Sequence, residues 1–452
     1  MKSIKILACL LFFSTLFPSI SVAMDHFIRA GATGANNGSD WTNAWATLPA
    51  TLVRGDTYYV AEGSYGSYTF STPQSGTAWI YIKKATASAH GTDTGWNDTF
   101  GDGVANFSSW EFTTGYWDID GVTGGGPGSW ENGHGIKITC TPPAKAIRIN
   151  VAGVHYINIR HVEATASSLG VFTGIVYSFG AFDGVGNSYV NISHCWFHTV
   201  YGPIFHIGYN HDWVVEYSKL GDNNPPGSGG SDHSEIFSLL GNDGLTIRYN
   251  YLYSWRSTGG IVAINGPSGG TGTQNVCEDV QIYGNIFDQG SGAASWLIAA
   301  ISDASNWQYA RRWKIHNNTF VNVNSSSTGL NAISLATTGE ANNEAYNNIF
   351  WGNTDTLAFS GVTHDFNWFT GSGAYAETHG FAGGNQNPFI NPTGKDFRLA
   401  ASIAGKILNT PFDKDMIGTF RGSVGVWDVG AYESTLPSSP LIPNPPAVQS
   451  IN

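Results

Sequence analysis

Val280-Gln281-Ile282-Tyr283-Gly284-Asn285-Ile286-Phe287 is one copy of a pattern that returns through the middle of the chain. Taking Asn285 as anchor, equivalent positions are Val162, Cys195, Ser218, Asn250, Asn318 and Asn348. Three residues before the seven anchors, in chain order, stand Ile159, Ile192, Val215, Ile247, Ile282, Ile315 and Ala345; two after stand Ala164, Phe197, Leu220, Leu252, Phe287, Phe320 and Phe350. Five before, the column is mostly apolar and includes Trp213 and Trp313. Successive anchors are 33, 23, 32, 35, 33 and 30 residues apart. Alternating apolar residues that lead into a turn, repeated at that spacing, mark a stacked solenoid. The unit is strand, turn, strand, which predicts an all-β, single-stranded right-handed parallel β-helix of nine or ten coils. Identical Asn side chains at strand spacing predict a hydrogen-bonded ladder that satisfies backbone groups at the bend.

A second strand group lies downstream of the anchor and defines what we term the first sheet: Gly174–Ser178, Pro203–Ile207, Glu235–Leu239 and Gly260–Ile264, with weaker members at Leu297–Ile301 and Ala332–Ala336. Alternation places Val176, Phe205, Phe237 and Val262 inward, and Tyr177, His206, Ser238 and Ala263 outward in a row along the shaft.

The ends read differently. Lys2 and Lys5, the apolar run Ile6 to Pro18, and Ser21-Val22-Ala23 predict a secretory signal peptide over 1–23. No later apolar run is long enough to span a membrane. Residues 24–433 are expected to form the β-helix, with an N-terminal cap and first coil at 25–65, a short helix from Trp41 to Leu52, and a closing region at 361–433. A solenoid needs such caps because its ends would otherwise expose apolar side chains and strand edges. Residues 434–452 are Pro- and Ser-rich, a tail or linker. Cys140, Cys195 and Cys277 remain after cleavage without framework spacing, so one disulfide is possible but not implied. The net charge is −12, or −14 without Lys2 and Lys5, which excludes the basic footprint of a nucleic-acid binder. Charged residues are only 12% of the chain, a surface suited to a glycan, and the expected state is a monomer.

Three motifs extend this reading. Gly55-Asp56-Thr57-Tyr58-Tyr59-Val60 with Gly63-Ser64-Tyr65, the Asn-anchored repeats, and the closing set Asn387-Pro388-Phe389-Ile390, Asp396-Phe397-Arg398-Leu399 and Asp428-Val429-Gly430-Ala431-Tyr432-Glu433 resemble secreted bacterial parallel β-helix proteins of the pectate-lyase-like superfamily. That fold hosts lyases, hydrolases, epimerases and non-catalytic proteins, so it leaves activity open. Ser234 to Leu240, Thr246 to Asn250 and Gly259 to Gly266 resemble the catalytic region of the alginate lyase and chondroitinase B group. That group's basic Lys and Arg are not matched: Leu240 and Asn265 take their positions.

The densest polar cluster is Ser231-Asp232-His233-Ser234-Glu235, with His206, Tyr209 and Asn210 one coil earlier and Tyr177 one further back. β-Elimination from a uronate needs a cation on the carboxylate, a base for the C5 proton and an acid for the leaving oxygen. The sequence offers Asp232 and Glu235 to hold Ca²⁺, His206 or His233 as base, Tyr177 as acid, and Arg256, Asn265 and Trp255 beside the substrate with Tyr209 and Asn210; Glu235 also counts among the catalytic candidates. A hydrolase would need paired carboxyls on neighbouring coils, which are not evident. The other reading is a non-catalytic glycan-binding or cell-surface protein. A pocket converging His206, His233 and Glu235 would favour an enzyme, and a flat aromatic strip would favour binding.

Overall fold

The computed structural model describes residues 23–436, apart from 150, 182–185, 224–233, 265–274, 291–293, 303–306, 324–329, 354–356, 372–374, 376, 383 and 424. The proposed signal peptide and the Pro-rich tail lie almost wholly outside the described residues. Three long sheets run the length of the shaft. The first has ten strands, from Ser67–Phe70 to Leu357–Ser360; the second and third have twelve each. Every neighbouring pair in them is parallel and in sequence order, and the coils wind right-handed, as parallel crossovers do. The protein is a right-handed parallel β-helix, with more coils at its ends than the repeat pattern shows.

The register confirms the repeat. Ile159 pairs with Ile192, then Val215, Ile247, Ile282, Ile315 and Ala345 in the second sheet. All are buried, and burial of each Ile contributes about 1.5–3 kcal/mol. In the third sheet Phe287, Phe320, Phe350 and Phe369 stack at 4.5, 4.7 and 5.1 Å. Among the described residues, Cys140, Cys195 and Cys277 are buried and free.

Between second and third sheets the chain turns in a single residue. The position before each anchor is left-handed: His161, His194, Tyr217, Tyr249, Gly284, Asn317, Asn347 and Phe366 have φ between 49° and 64°. Such a conformation costs an ordinary L-residue about 1–2 kcal/mol. The ladder offsets it. The N–H groups of Cys195, Ser218, Asn250, Asn285, Asn318 and Asn348 each donate to the side-chain oxygen of the next anchor at 2.8–3.1 Å. The series continues one step past the sequence repeat, to Asn367, whose N–H and Nδ2 donate to the buried Glu377 carboxylate at 2.7 and 2.8 Å. Outside the bend, His161, His194, Tyr217 and Tyr249 stack ring on ring at 5.1–5.2 Å. Gly284 follows them, where a Cβ would lie 2.7 Å from the Tyr249 ring.

Two expectations are corrected, and the closing region adds to a third. Trp41 to Leu52 is not a helix. It is irregular backbone pinned by a bridge at Trp45, with Trp41 buried against Phe27 and Trp96. In the first sheet Phe237 pairs with Ile261 and Ser238 with Val262, so Val262 points outward and Ala263 inward, one residue off the predicted alternation. Finally, the closing region does more than follow the last coil. It folds back along the shaft: Ala431 donates to Thr319, Asn317 to the Asp428 carbonyl, and Tyr249 to the Lys414 carbonyl. A second apolar core fills this seam, from Tyr249 and Ile349 on the shaft to Phe397, Met416 and Val429.

Asn285 accepts from Asn250 and donates through Nδ2 to the Ile247 carbonyl and to Asn318 Oδ1. Asn285→Ala should therefore lower unfolding free energy by about 3 kcal/mol or more, because each orphaned buried group costs about 1–3 kcal/mol; urea denaturation measures it.

Candidate functional site

The outward row of the first sheet is longer than the sequence suggested. Register gives Thr69, Glu111, Arg148, Tyr177, His206, Ser238, Val262, Ala299, Ser334 and Ser360 in one line. Its character changes along the shaft. Glu111 to His206 is charged and aromatic; Val262 and Ala299 are fully buried in a small apolar cluster with Ile264, separate from the core.

A groove of about 450 Å³ opens at the polar end, lined by Ser109, Glu111, Lys145, Arg148 and Tyr177 among others. The strand Ile147–Ile149 puts Ile147 and Ile149 inward, so Arg148 must point out. Arg148 lies 3.5 Å from Glu111 and is half-exposed. Lys145, just ahead of that strand, donates to Thr173 Oγ1 at 3.4 Å and sits 5.8 Å from the ring centres of both Phe172 and Tyr177. Burial, with Arg148 adding like-charge repulsion, holds the Lys145 ammonium below its usual pKa. The Tyr177 ring meets His206 edge-on at 5.5 Å, and Phe179 meets His206 at 5.1 Å. The groove thus gathers a guanidinium, an amine tuned toward the free base, a phenol and an imidazole at its rim. Glu111 is the one carboxylate lining it among the described residues, which leaves a two-carboxyl hydrolase without its pair.

The predicted residues fare unevenly. Tyr177 and His206 stand on the row. Asp232, His233 and Asn265 lie outside the described residues. Glu235 is fully buried two residues ahead of the strand Phe237–Leu240; its neighbour Ser234 donates to the Arg256 carbonyl. Arg256 is half-buried in the loop ahead of the next strand. Trp255 is 0% exposed and packs edge-on against Phe287 at 6.2 Å, so it is core, not a sugar platform. Asn210 is also internal. It belongs to a second ladder, at the bend from first to second sheet, where Asn187 Nδ2 donates to Ser178 Oγ, Ser178 Oγ to Asn210 Oδ1, and Asn210 N to Asn242 Oδ1. Tyr209 turns that same corner at φ 54° and does not stand on the row. Among the described residues no group of three or more His, Cys, Asp or Glu is placed to hold a metal ion, and no helix is long and apolar enough to cross a membrane.

Lys145 and Arg148 were missed. The signal was present: Ala146-Ile147-Arg148-Ile149 has the same alternation as Ile175-Val176-Tyr177-Ser178, but its coil has no Asn anchor to set the frame.

No family model and no curated protein matches the chain. Solved structures do: it is similar to parallel β-helix polysaccharide lyases. The pectate lyase Pel9A aligns over 92% of this chain and 98% of its own at 14% identity, TM-score 0.43. An alginate lyase from Paenibacillus sp. str. FPU-7 aligns over 68% and 98% at 14% identity, TM-score 0.36. A PL6 family polysaccharide lyase from Pseudopedobacter saltans aligns over 86% and 94% at 14% identity, TM-score 0.34. The likeness is one of fold, and the sheets above establish the fold independently.

Because Arg148 contributes to the lowered Lys145 pKa, Arg148→Ala should raise it. An NMR titration of labelled lysine side chains reads that shift, and an unmoved Lys145 signal contradicts the coupling.

Proposed function

We propose that the protein is a secreted polysaccharide lyase that cleaves an acidic glycan by β-elimination in the first-sheet groove. The observation that carries this reading is the convergence of Lys145, Arg148 and Tyr177 in one depression on a sheet face that can lie along a polymer. Secretion is supported by the basic, apolar and small-residue succession over residues 1–23.

In this scheme the Arg148 guanidinium pairs with the uronate carboxylate and stabilises the charge that grows on it as C5 loses its proton. Lys145 Nζ, as the free amine, takes that proton. The electron pair forms the C4–C5 double bond and the C4–O bond breaks. The leaving oxygen takes a proton from the Tyr177 hydroxyl, which His206 borders. Base and acid balance, and no external reductant or oxidant is needed. Arg148 takes over the neutralising role given to Ca²⁺ in the sequence reading, and a chelator tests whether a cation also contributes.

A second reading has its own observation. Tyr116, Tyr156 and Tyr189 stack at 4.7 and 4.8 Å along the corner between first and second sheets, Trp79 meets Tyr116 edge-on at 5.6 Å, and Tyr189 is exposed. Such an aromatic stair suits glycan binding without cleavage.

Ultraviolet absorbance of an unsaturated uronate product separates the two, measured over polyuronates and glycosaminoglycans with Ca²⁺ and with chelator. Elimination predicts a rise on at least one polymer, reduced about 10²–10⁴-fold in Lys145→Ala, the range for loss of a general base. A base acts deprotonated, so the rate should climb with pH toward the lowered Lys145 pKa; Arg148→Ala should move that limb to higher pH. No rise on any polymer leaves the binding reading.

A further inference from the structure

A larger opening lies on another face of the shaft. Two excursions, the Gly-rich loop 121–135 and the folded-back closing region, approach each other over the third sheet and leave a cleft of about 620 Å³ between them. Trp130, Glu131, Lys219, Lys395, Arg398 and Tyr432 line it. Its size lies within the range of ligand sites.

The walls are held from several distant parts of the chain. Lys219, on the shaft, is ion-paired to Glu131 of the loop, and its Nζ lies 5.1 and 4.5 Å from the Tyr251 and Tyr253 ring centres. Trp130 leans on Tyr251 at 5.9 Å, tilted by 50°, while also facing the cleft. From the other side, Lys395 pairs with Asp288 at 2.5 Å, and the same Asp288 oxygen accepts from the Tyr251 hydroxyl at 2.7 Å. Arg398 makes a two-pronged pair with Asp396 at 2.9 and 2.7 Å and stays more than half exposed.

We propose that this cleft binds a stretch of polysaccharide chain without cleaving it. Had the two excursions met only to clamp the fold, apolar contact would close the gap; instead it stays open and is walled by rings and paired charges. Trp130 and Tyr432 offer faces and edges to the C–H side of a sugar. The pairs Arg398–Asp396 and Lys219–Glu131 set donors beside acceptors, the arrangement that vicinal hydroxyls satisfy. Each lining cation has a carboxylate partner, so the site lacks the surplus positive charge of a phosphate or sulfate site and suits hydroxyl-rich sugar units. Each lining carboxylate is likewise held by a cation, which leaves neither free as a catalytic base. The proposal rests on the polysaccharide reading but not on elimination.

The test is retardation of the full chain in native gels cast with polygalacturonate, alginate or galactomannan. The background is the groove variant Lys145→Ala/Arg148→Ala, so that retention reports other sites. We expect retardation to persist there and apparent affinity to fall at least about tenfold, some 1.4 kcal/mol, on adding Trp130→Ala or the exposed-site change Arg398→Glu, with melting temperature as the folding control. Loss of all retardation in the groove variant overturns the cleft, as does retention untouched by both added changes. Cleft-dependent retention, together with no elimination product from the unmodified chain on any polymer, supports the cleft and overturns the lyase reading alone.

Discussion

The backbone N–H at each one-residue bend has no partner within its own coil. The structure depends on passing that donor to the side chain one coil ahead. A left-handed residue turns the chain, and the anchor that follows hands its N–H along the shaft from Cys195 to Asn367, where Glu377 ends the series. Asn fits because its amide accepts from the preceding coil, donates to a backbone carbonyl of that same coil and donates again to the next anchor's side-chain oxygen. The ladder fixes the register of the coils, and register sets which side chains share an outward row. Tyr177 and His206 are neighbours for that reason, their coils being joined at Cys195 and Ser218; Arg148 lies one coil before the ladder begins and is set beside Tyr177 by strand pairing alone.

The same dependence explains what was legible in the sequence. Where Asn, Ser or Cys marks the bend, alternation in the strands beside it reads correctly, and the Ile column pairs as expected. The first-sheet slip at Ile261-Val262-Ala263 has a physical cause. All three are small or branched, apolar and fully buried, so neither face of that strand carries the polarity that normally announces it. Upstream of Val162 the anchors lack a repeating type. There Arg148 looked like part of an irregular early coil, although Ile147 and Ile149 flank it in the pattern of an outward residue. Trp255 and Asn210 were misjudged in the opposite sense. An aromatic or amide near a polar cluster looks available for sugar, yet one fills the core and the other bridges coils at a second bend.

The first-sheet face is asymmetric as a result. Thr69 to His206 presents charge, hydroxyl and aromatic edges, whereas Val262 and Ala299 are covered. A lowered lysine pKa beside an arginine is a combination that burial and proximity produce together: burial disfavours the charge on Lys145, and the Arg148 guanidinium adds like-charge repulsion.

A solenoid whose coils touch only their neighbours unravels like a zipper, because each coil's stability is nearly its own. The folded-back closing region changes this. Contacts such as Thr319 with Ala431, Asp288 with Lys395 and Tyr249 with Lys414 tie coils far apart in sequence to a single strap. The strap links several coils at once, so none of them can open alone without breaking a contact made by the others. In mechanical terms the downstream half behaves as a spliced cable, and fraying is left to the upstream coils that the strap does not reach.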